Sequence, residues 1–462
     1  MDDAALTVVS GELPRGLRGV LYRNGPVQLA AYGTRYAHPF DGDGLVRRFA
    51  FDGAAVTMRS RLVRTRELAV EEARGARVYR SLGTNAPGGL RANLFNTRFK
   101  NAANTSVVVH GGRLFALWEG GAPHALDPVT LATQERSQLG GALENRFGRV
   151  ERWLNPELPF GAHPKVDPAT GELVNIGVAY GVRPRLLVYR VSPRGEVDVR
   201  AIALGGVTFV HDFALAGDYV VVFLNPLAFG MFGLLAGLTA PIASVAPTGK
   251  GARILILRRD GQVVFDALVP ARYVMHCVNG FVSPEGDVIL DVVSSADPPP
   301  FADMKGVYEG ATPYPETKLT RYTCSITAGA AREETRFNAP LEFPTVAPRD
   351  VGRPYATAYA VAGRMQRQGA TFDSIARVDS SAGAHRVRRY REGVPGEPVF
   401  VPGPAGAGVD YLLTLVASND GATTWLDVLD AETLATYCRL ELPAPYPPDL
   451  HGVWTSLDVC SC

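Results

Sequence analysis

The feature that most constrains this fold is a strand–turn–strand unit that returns along the whole chain of 462 residues. Each unit joins short apolar runs through Asp-Pro-x-Thr-Gly, Asp-Gly or Asn-Asp-Gly, sequences that favour tight reversals between strands. The clearest examples are 113–133, 163–180, 186–204, 252–269, 273–293, 374–390 and 411–442. Small antiparallel units that recur every roughly 40–60 residues are typical of a β-propeller. The sequence therefore predicts a single all-β domain over 1–462, a β-propeller whose length suits seven blades.

Composition supports a turn-rich β fold. Glycine (49) and proline (34) together exceed the average share of roughly 12%, and they are scattered, which indicates turns rather than disorder. Helical periodicity is scarce, so we expect helices only at 66–75 and in parts of 226–246. The 47 Lys and Arg residues nearly cancel the 46 Asp and Glu residues. The resulting net charge of +1 argues against a broad electrostatic surface for nucleic acid.

A long uncharged stretch covers residues 219–249. Its length would suit a transmembrane helix, but Pro226, Pro241 and Pro247 disfavour one. We expect instead that 226–248 forms an apolar patch that dips into one leaflet of a membrane, with Phe229, Met231, Phe232, Leu234 and Leu235 at its centre. The alternative is a buried hairpin of the core. The predicted protein is cytoplasmic and peripherally bound to membrane.

Four of the eight histidines share a context, because each lies beside an apolar strand. They are His163, His211, His276 and His451, separated by 48, 65 and 175 residues. A shared metal would need four separate strands to converge, which the axis of a propeller allows. A single membrane span at 219–249 would place His211 and His276 on opposite sides of the bilayer. Imidazole suits iron, zinc, copper and nickel, so the ligand type alone leaves the metal open.

Four neutral ligands leave the charge of a divalent metal unbalanced, so carboxylates are expected to hydrogen-bond the outer nitrogens of the rings. Three glutamates stand in apolar surroundings where acidic residues are rare: Glu119, Glu342 and Glu397. For each of them a turn-capping role remains the alternative. His110, His124 and His385 are interpreted as structural or surface residues.

The five cysteines, Cys277, Cys324, Cys438, Cys460 and Cys462, are too few and too scattered for a disulfide framework. We interpret them as thiols of a reducing compartment, and the closing Cys-Ser-Cys has no assigned role. The opening MDDAALTVVSGELP lacks a basic and an apolar region, so no secretory signal is expected.

Several short motifs follow one another along the chain. They are Leu-Tyr-Arg-Asn-Gly-Pro (21–26), His-Pro-Phe-Asp-Gly-Asp-Gly-Leu-Val (38–46), Asn-Thr (104–105), Leu-Trp-Glu-Gly-Gly (117–121), Ala-His-Pro-Lys (162–165), His-Asp-Phe (211–213), Glu-Phe-Pro (342–344), Glu-Pro-Val-Phe-Val-Pro (397–402) and His-Gly (451–452). Each motif is weak alone. Together and in this order they resemble the carotenoid cleavage oxygenase family, which includes apocarotenoid oxygenases, stilbene-cleaving dioxygenases and the retinoid isomerase. The resemblance runs almost end to end.

The resemblance implies a seven-bladed propeller under a dome of loops and helices, with one Fe(II) on the axis and O2 as co-substrate. The implied iron ligands are His163, His211, His276 and His451, and the implied partners of three of these rings are Glu119, Glu342 and Glu397. Thr105 matches a residue near the open coordination position, and Trp118 matches an aromatic residue beside the substrate tunnel. His38 and Asp41 belong to the motif at 38–46 but are not expected ligands. Residues 141–160 look like a loop insertion over the dome.

The implied reaction is oxidative cleavage of a conjugated C=C bond to two carbonyl products. Stilbene-cleaving relatives typically carry a lysine at the position of Trp118, so a carotenoid or apocarotenoid is favoured here. Cleavage of a stilbene or phenylpropenoid, isomerisation without oxygen incorporation, and a propeller that only binds a hydrophobic ligand remain alternatives. A monomer is expected.

Overall fold

The computed structural model describes residues 1–181, 183–206, 208–366, 369–380 and 385–457. Seven antiparallel sheets follow one another along the chain as the blades of a propeller, which confirms the predicted fold. We number them from the N-terminus. Blade 1 contains Ala4–Ala5, Arg18–Val27, Asp43–Asp52, Val56–Leu62 and His451–Thr455; blade 2 contains Ser106–His110, Arg113–Leu117, His124–Leu126 and Thr133–Arg136; and blade 3 contains Lys165–Val166, Leu173–Ala179, Arg185–Val191 and Val197–Ala203.

The remaining blades have the same plan. Blade 4 contains Phe213–Ala216, Tyr219–Leu224, Ala252–Arg258 and Val263–Val269; blade 5 contains Tyr273–Val282, Val288–Ser295, Thr317–Ser325 and Ala330–Phe337; blade 6 contains Leu341–Val346, Thr357–Gln366, Gly369–Asp379 and His385–Arg389; and blade 7 contains Gly393–Pro395, Val399–Val401, Tyr411–Ser418, Thr424–Asp430, Thr436–Glu441 and Thr7–Gly11. Two small hairpins, Ala30–Ala31 with Thr34–Arg35 and Leu227–Phe229 with Val245–Pro247, lie outside the blades.

Both ends of the chain close the ring. His451–Thr455 pairs with Arg18–Val27, with His451 opposite Asn24, while Thr7–Gly11 pairs with Thr436–Glu441. Strands from the two ends therefore complete blades 1 and 7, and these pairings remove sheet edges that would otherwise be open.

The core lies between neighbouring blades, which explains why several strands are apolar on both faces. All seven residues of Leu173–Ala179 are buried, for example. One cluster joins blades 4 and 5 through side chains such as Phe223, Ile254 and Leu290. The predicted turns are also present. Asp127 and Asp430 each accept hydrogen bonds from the backbone N–H groups of the residues two and three positions later, which fixes the reversal.

Most helices lie in the connections on one face of the propeller, whereas Pro348–Asp350, which joins the first two strands of blade 6, lies on the other face. The α-helices are Arg66–Arg74, Gly89–Asn93, Arg149–Leu154, Met231–Leu235 and Met304–Tyr308, and the 3-10 helices are Pro39–Asp41, Leu139–Gly141, Ile242–Ser244, Phe301–Asp303 and Pro348–Asp350. The first helix agrees with the prediction at 66–75, because Thr65 caps its start and Gly75, with a φ of 58°, ends it. The segment 141–160, expected as a loop, contains a short helix.

The structure also bears on the uncharged stretch at 219–249 and on the cysteines. Within the described ranges, no helix is long and apolar enough to cross a bilayer. Cys277, Cys324 and Cys438 are buried free thiols. Cys460 and Cys462 lie outside the described residues.

Candidate active site

The geometry of the blades explains why residues far apart in sequence meet. Successive strands of a blade run in opposite directions, so the first strand begins on the same face of the propeller on which the second strand ends. The first strands of all blades therefore begin at one end of the propeller axis. His163, His211, His276, Glu342 and His451 lie within three residues of the start of such first strands, and Glu397 lies between the two short first strands of blade 7. Trp118 and Glu119 follow the second strand of blade 2 on the same face.

The four histidine rings form one group, in which His163, His276 and His451 are buried and His211 is half-buried. The ring centroid of His163 lies 4.3 Å from that of His211, 4.6 Å from that of His451 and 5.5 Å from that of His276. His276 lies 5.3 Å from both His211 and His451. One nitrogen from each of His163, His211 and His276 falls within 4.8 Å of the other two, a spacing that a single metal ion could bridge.

Each glutamate of the predicted set lies against this group. Glu342 Oε2 is 2.7 Å from His276 Nδ1, and Glu397 Oε1 is 2.8 Å from His451 Nδ1. Glu119 Oε1 lies 3.1 Å from His211 Nδ1 and 3.5 Å from His163 Nε2. Three rings therefore direct Nδ1 toward a carboxylate.

These contacts determine which nitrogen of each ring is free. A carboxylate accepts a hydrogen bond from Nδ1–H, so Nε2 of His211, His276 and His451 presents a lone pair. Nε2 of His276 is buried and has no hydrogen-bond partner in the described part of the chain. Nε2 of His163 lies only 3.0 Å from Nε2 of His211. A buried lone pair without a donor is unfavourable, so the unpartnered Nε2 of His276, beside the close His163–His211 pair, fits a divalent metal that prefers imidazole.

Burial and the neighbouring charges act on the protonation of the rings in opposite directions. Burial, together with the other three rings, lowers the pKa of His163 well below its usual range. Burial also lowers the pKa of His451, despite the Glu397 carboxylate. At His211 the Glu119 carboxylate outweighs burial and raises the pKa. Neutral rings are the ligand form, so burial favours metal binding at His163 and His451.

The structure adds residues that the sequence reasoning missed. The Arg23 guanidinium donates to Glu397 Oε2 at 2.7 Å and forms a bidentate pair with Asp449, two residues before His451. Tyr314 Oη donates to Glu342 Oε1 at 2.9 Å. Lys165 and the backbone N–H of Cys277 both contact Asp212, which links the strands that follow three of the histidines. Arg23 and Asp212 lie within the motifs at 21–26 and 211–213, so the sequence carried a signal for these two residues. It carried none for Tyr314.

A cavity of about 1630 Å³ opens above the histidines. Thr105 and Trp118 both line it, as do all four histidines and all three glutamates. Gly120 allows the indole of Trp118 to pack closely, because a Cβ there would lie 2.8 Å from the ring. Residues 155–157 and 159 also line the cavity, so the end of the 141–160 segment shapes its wall.

The other histidines lie apart from this group. His110 Nε2 lies 2.9 Å from the carbonyl of Ser192, His124 is buried in blade 2, and His385 is exposed on the outer strand of blade 6. His38 is buried at the cavity wall and makes no contact with the four rings among the hydrogen bonds of the described residues.

Comparison with known proteins agrees with the resemblance seen in the motifs. The family described as "Retinal pigment epithelial membrane protein" matches residues 1–456. The apocarotenoid-15,15'-oxygenase of Synechocystis sp. is 33% identical and aligns with 96% of this chain and 92% of its own. The isoeugenol monooxygenase of Pseudomonas putida is 29% identical and aligns with 97% of this chain and 94% of its own. The solved structure of the cobalt-substituted Synechocystis apocarotenoid oxygenase superposes with a TM-score of 0.89 at 32% identity, covering 98% of this chain and 96% of that one. The chain therefore belongs to the retinal pigment epithelial membrane protein family, the carotenoid oxygenase family that its motifs resemble.

Proposed function

We propose that this protein is a non-haem Fe(II) dioxygenase that cleaves a conjugated C=C bond of a carotenoid or apocarotenoid into two carbonyl products. The observation that carries the proposal is the group of four histidines, three of them beside carboxylates, in the wall of a cavity lined largely by apolar side chains. The relatives named as apocarotenoid and carotenoid cleavage enzymes support the same reaction class.

The proposed ligands are His163, His211, His276 and His451. A bound Fe(II) would supply the activation of O2, which zinc cannot do because it has no redox chemistry. Four imidazole ligands would leave room at the ion for O2 or substrate. Thr105 lies on the cavity wall near these rings, where we expect its methyl and hydroxyl groups to limit access to an open position.

The protein's own contribution is orientation and exclusion of water. Glu119, Glu342 and Glu397 fix the rotation of the rings and offset part of the positive charge. Phe209 stacks beside His211 with an interplanar angle of 12°, and Phe343 packs against both His276 and His451. These aromatic faces suit a flat polyene and keep water from the reacting bond.

The lining of the cavity favours a polyene over a phenol. Its positively charged side chains among the described residues are Arg66, Arg98 and Arg136, and Arg136 is already paired with Glu67 and Glu157. The described lining contains no lysine, and Trp118 occupies the position where stilbene-cleaving relatives typically carry one. The similarity to an isoeugenol monooxygenase makes a phenylpropenoid the second candidate.

We propose that the protein takes its substrate from a membrane surface. Phe232 (83% exposed) and Leu238 (62%) project from the predicted patch, whereas Phe229, Met231, Leu234 and Leu235 line the cavity. Phe95 (59%) adjoins them, because its N–H donates to the carbonyl of Leu235. Leu227 and Ile242 of the patch are buried, so the segment combines a core hairpin with an exposed apolar tip. Such a tip beside a cavity mouth suits contact with lipid.

A substrate panel tests the reaction. Purified protein, reconstituted anaerobically with Fe(II), is exposed to air with an apocarotenal, a carotenoid or a hydroxystilbene, and the products are separated by chromatography. Shorter aldehydes from the apocarotenal support the proposal. Turnover of the hydroxystilbene alone would favour the second candidate, and an isomer of unchanged mass would indicate isomerisation.

A separate experiment tests the membrane contact. The double variant Phe232→Ser, Leu238→Ser should lose co-sedimentation with phosphatidylcholine vesicles, since two exposed apolar side chains are removed. The control is Val8→Ser, Val263→Ser, two exposed apolar residues on strands of blades 7 and 4. Equal vesicle binding by both double variants would contradict the proposed contact.

A further inference from the structure

The motif at 38–46 contains two buried polar residues, His38 and Asp41, that lie outside the histidine group. His38 is 4% exposed and Asp41 is 1% exposed. Neither belongs to the proposed ligand set. Buried polar groups are retained at such positions when their hydrogen bonds fix a particular arrangement of the chain.

His38 fixes a segment 263 residues away. Its Nδ1 accepts the backbone N–H of Phe40 at 3.1 Å, so the ring proton resides on Nε2. Nε2–H then donates to the carbonyl of Phe301 at 3.1 Å. Gly83 lies against the other side of the ring, where a Cβ would approach His38 Cβ to 2.1 Å. The imidazole is therefore held in one orientation and holds Phe301 in turn.

Asp41 fixes the neighbouring part of the wall. Its Oδ1 accepts the N–H of Gly83 at 2.8 Å, and its Oδ2 accepts the hydroxyl of Thr84 at 2.5 Å. Leu82, next to Gly83, accepts the N–H of Ile242 through its carbonyl at 2.9 Å. The motif thus connects the loop at 82–84 with the 3-10 helix of the apolar segment.

The fixed residues lead directly to the proposed metal centre. Phe301, Ile242 and Leu227 form one buried cluster, against which Leu82, Phe209 and Met275 pack. The ring of Phe301 lies 5.3 Å from that of Phe209, which stacks on His211. Phe301, Ile242, Leu82 and Phe209 all line the cavity. A shift of Phe301 would therefore change the depth and path of a bound polyene beside His211.

We infer that His38 and Asp41 are positioning residues that set the cavity wall beside His211 and thereby select which double bond of the polyene is cleaved. This inference rests on the proposed function. Neighbouring double bonds of a polyene are chemically similar, so the choice between them depends on where the wall holds the chain.

The test separates the two hydrogen bonds of His38. His38→Asn keeps an acceptor for Phe40 N–H but cannot reach Phe301, whereas His38→Gln places an amide N–H near the position of Nε2. His110→Asn is the matched control, because His110 also contacts a backbone carbonyl, that of Ser192, at 2.9 Å but does not line the cavity. Products from an apocarotenal are quantified, together with metal content and melting temperature.

His38→Asn should raise the share of products from neighbouring double bonds roughly 2- to 10-fold, the ratio that corresponds to one lost hydrogen bond. His38→Gln should move the distribution back toward wild type, and His110→Asn should leave it unchanged with comparable loss of melting temperature. Wild-type products from His38→Asn, or the same spread from His110→Asn, would overturn the inference.

A second readout does not depend on turnover. Quenching of tryptophan fluorescence by an apocarotenal in the metal-depleted protein gives a Kd, because Trp118 lines the cavity. His38→Asn should weaken this Kd roughly 2- to 10-fold while His110→Asn leaves it unchanged. If wild type binds the apocarotenal but cleaves nothing, the proposed function fails and the Kd still decides the role of His38. If His38→Asn does not fold, Thr84→Val cuts the Asp41 bond and should give the same changes; an unchanged Kd and product ratio would overturn the inference.

Discussion

Neutralising Glu342 should weaken the metal site without removing a ligand. Its carboxylate is 6% exposed and is shared between His276 Nδ1 at 2.7 Å and Tyr314 Oη at 2.9 Å, with no cation among its hydrogen-bond partners in the described residues. In Glu342→Gln the amide oxygen can still accept from His276 Nδ1, so the substitution removes the charge and keeps the bond. A charge-assisted bond exceeds a neutral one by about 1.4 kcal/mol, which is about tenfold in affinity. Since the orienting bond is kept, we expect the loss of metal affinity to lie at the lower end of the range of about 10–100-fold that is typical when such a partner is mutated.

The assay is a titration of chelator-stripped protein with Co(II) in competition with a chromophoric chelator. Tyr314→Phe, which keeps the carboxylate and its charge, should change the metal Kd by less than about fivefold. Glu333→Gln is the matched control, because Glu333 accepts a tyrosine hydroxyl, that of Tyr322, at 3.2 Å within blade 5 and away from the histidines. A Glu342→Gln variant that binds Co(II) within twofold of wild type, or an equal loss in Glu333→Gln, would refute the reasoning.

Three further predictions follow from the same contacts. His451→Ala should abolish stoichiometric iron and turnover, whereas His110→Ala retains both, as elemental analysis and product assays would measure; full iron in His451→Ala would contradict the ligand set. Arg23→Met should cost about 3–5 kcal/mol of stability, because it removes the buried cation that bridges Glu397 and Asp449 and leaves Asp449 with Arg47 alone, and it should lower the melting temperature by several degrees; an unchanged melting temperature would refute this. Burial lowers the pKa of both His38 and His124 to about 4. In the unfolded chain each histidine has its ordinary pKa of about 6.5, so below that pH the unfolded chain binds more protons than the folded one. The free energy of unfolding therefore has its full value above that pH and falls as the pH drops toward 4, by about 1–3 kcal/mol for each ring. Thermal melts from pH 7 to 4.5 should show a shallower slope in His124→Asn, and a slope identical to wild type would contradict the assignment.

The architecture could be predicted from sequence because the information is local. Asp-based turns and apolar runs repeat in every part of the chain, and the helix at Arg66–Arg74 carries its own cap in Thr65 and its own stop in Gly75. The histidines could be placed together only because a propeller brings the starts of its first strands to one axis. Their assignment to one site then depended on the motifs that resemble the family.

Contacts between distant side chains could not be predicted in the same way. Arg23 meets Glu397 across 374 residues, and no local pattern encodes that distance. Tyr314 carries no sequence signal, because one tyrosine before a strand is unremarkable until its hydroxyl lies against Glu342. The apolar patch shows a related limit. A helix as short as Met231–Leu235 has no clear amphipathic period, so only the structure separates the exposed Phe232 from its neighbours that line the cavity.

The measurement that tests the central claim most directly is turnover of an apocarotenal under ¹⁸O2, with rapid borohydride reduction to trap both carbonyl products before they exchange oxygen with water. Mass spectrometry of the two resulting alcohols should show one ¹⁸O in each, because a dioxygenase places both atoms of O2 in the cleaved bond. Label in only one product, or an unlabelled isomer of the substrate, would contradict the account.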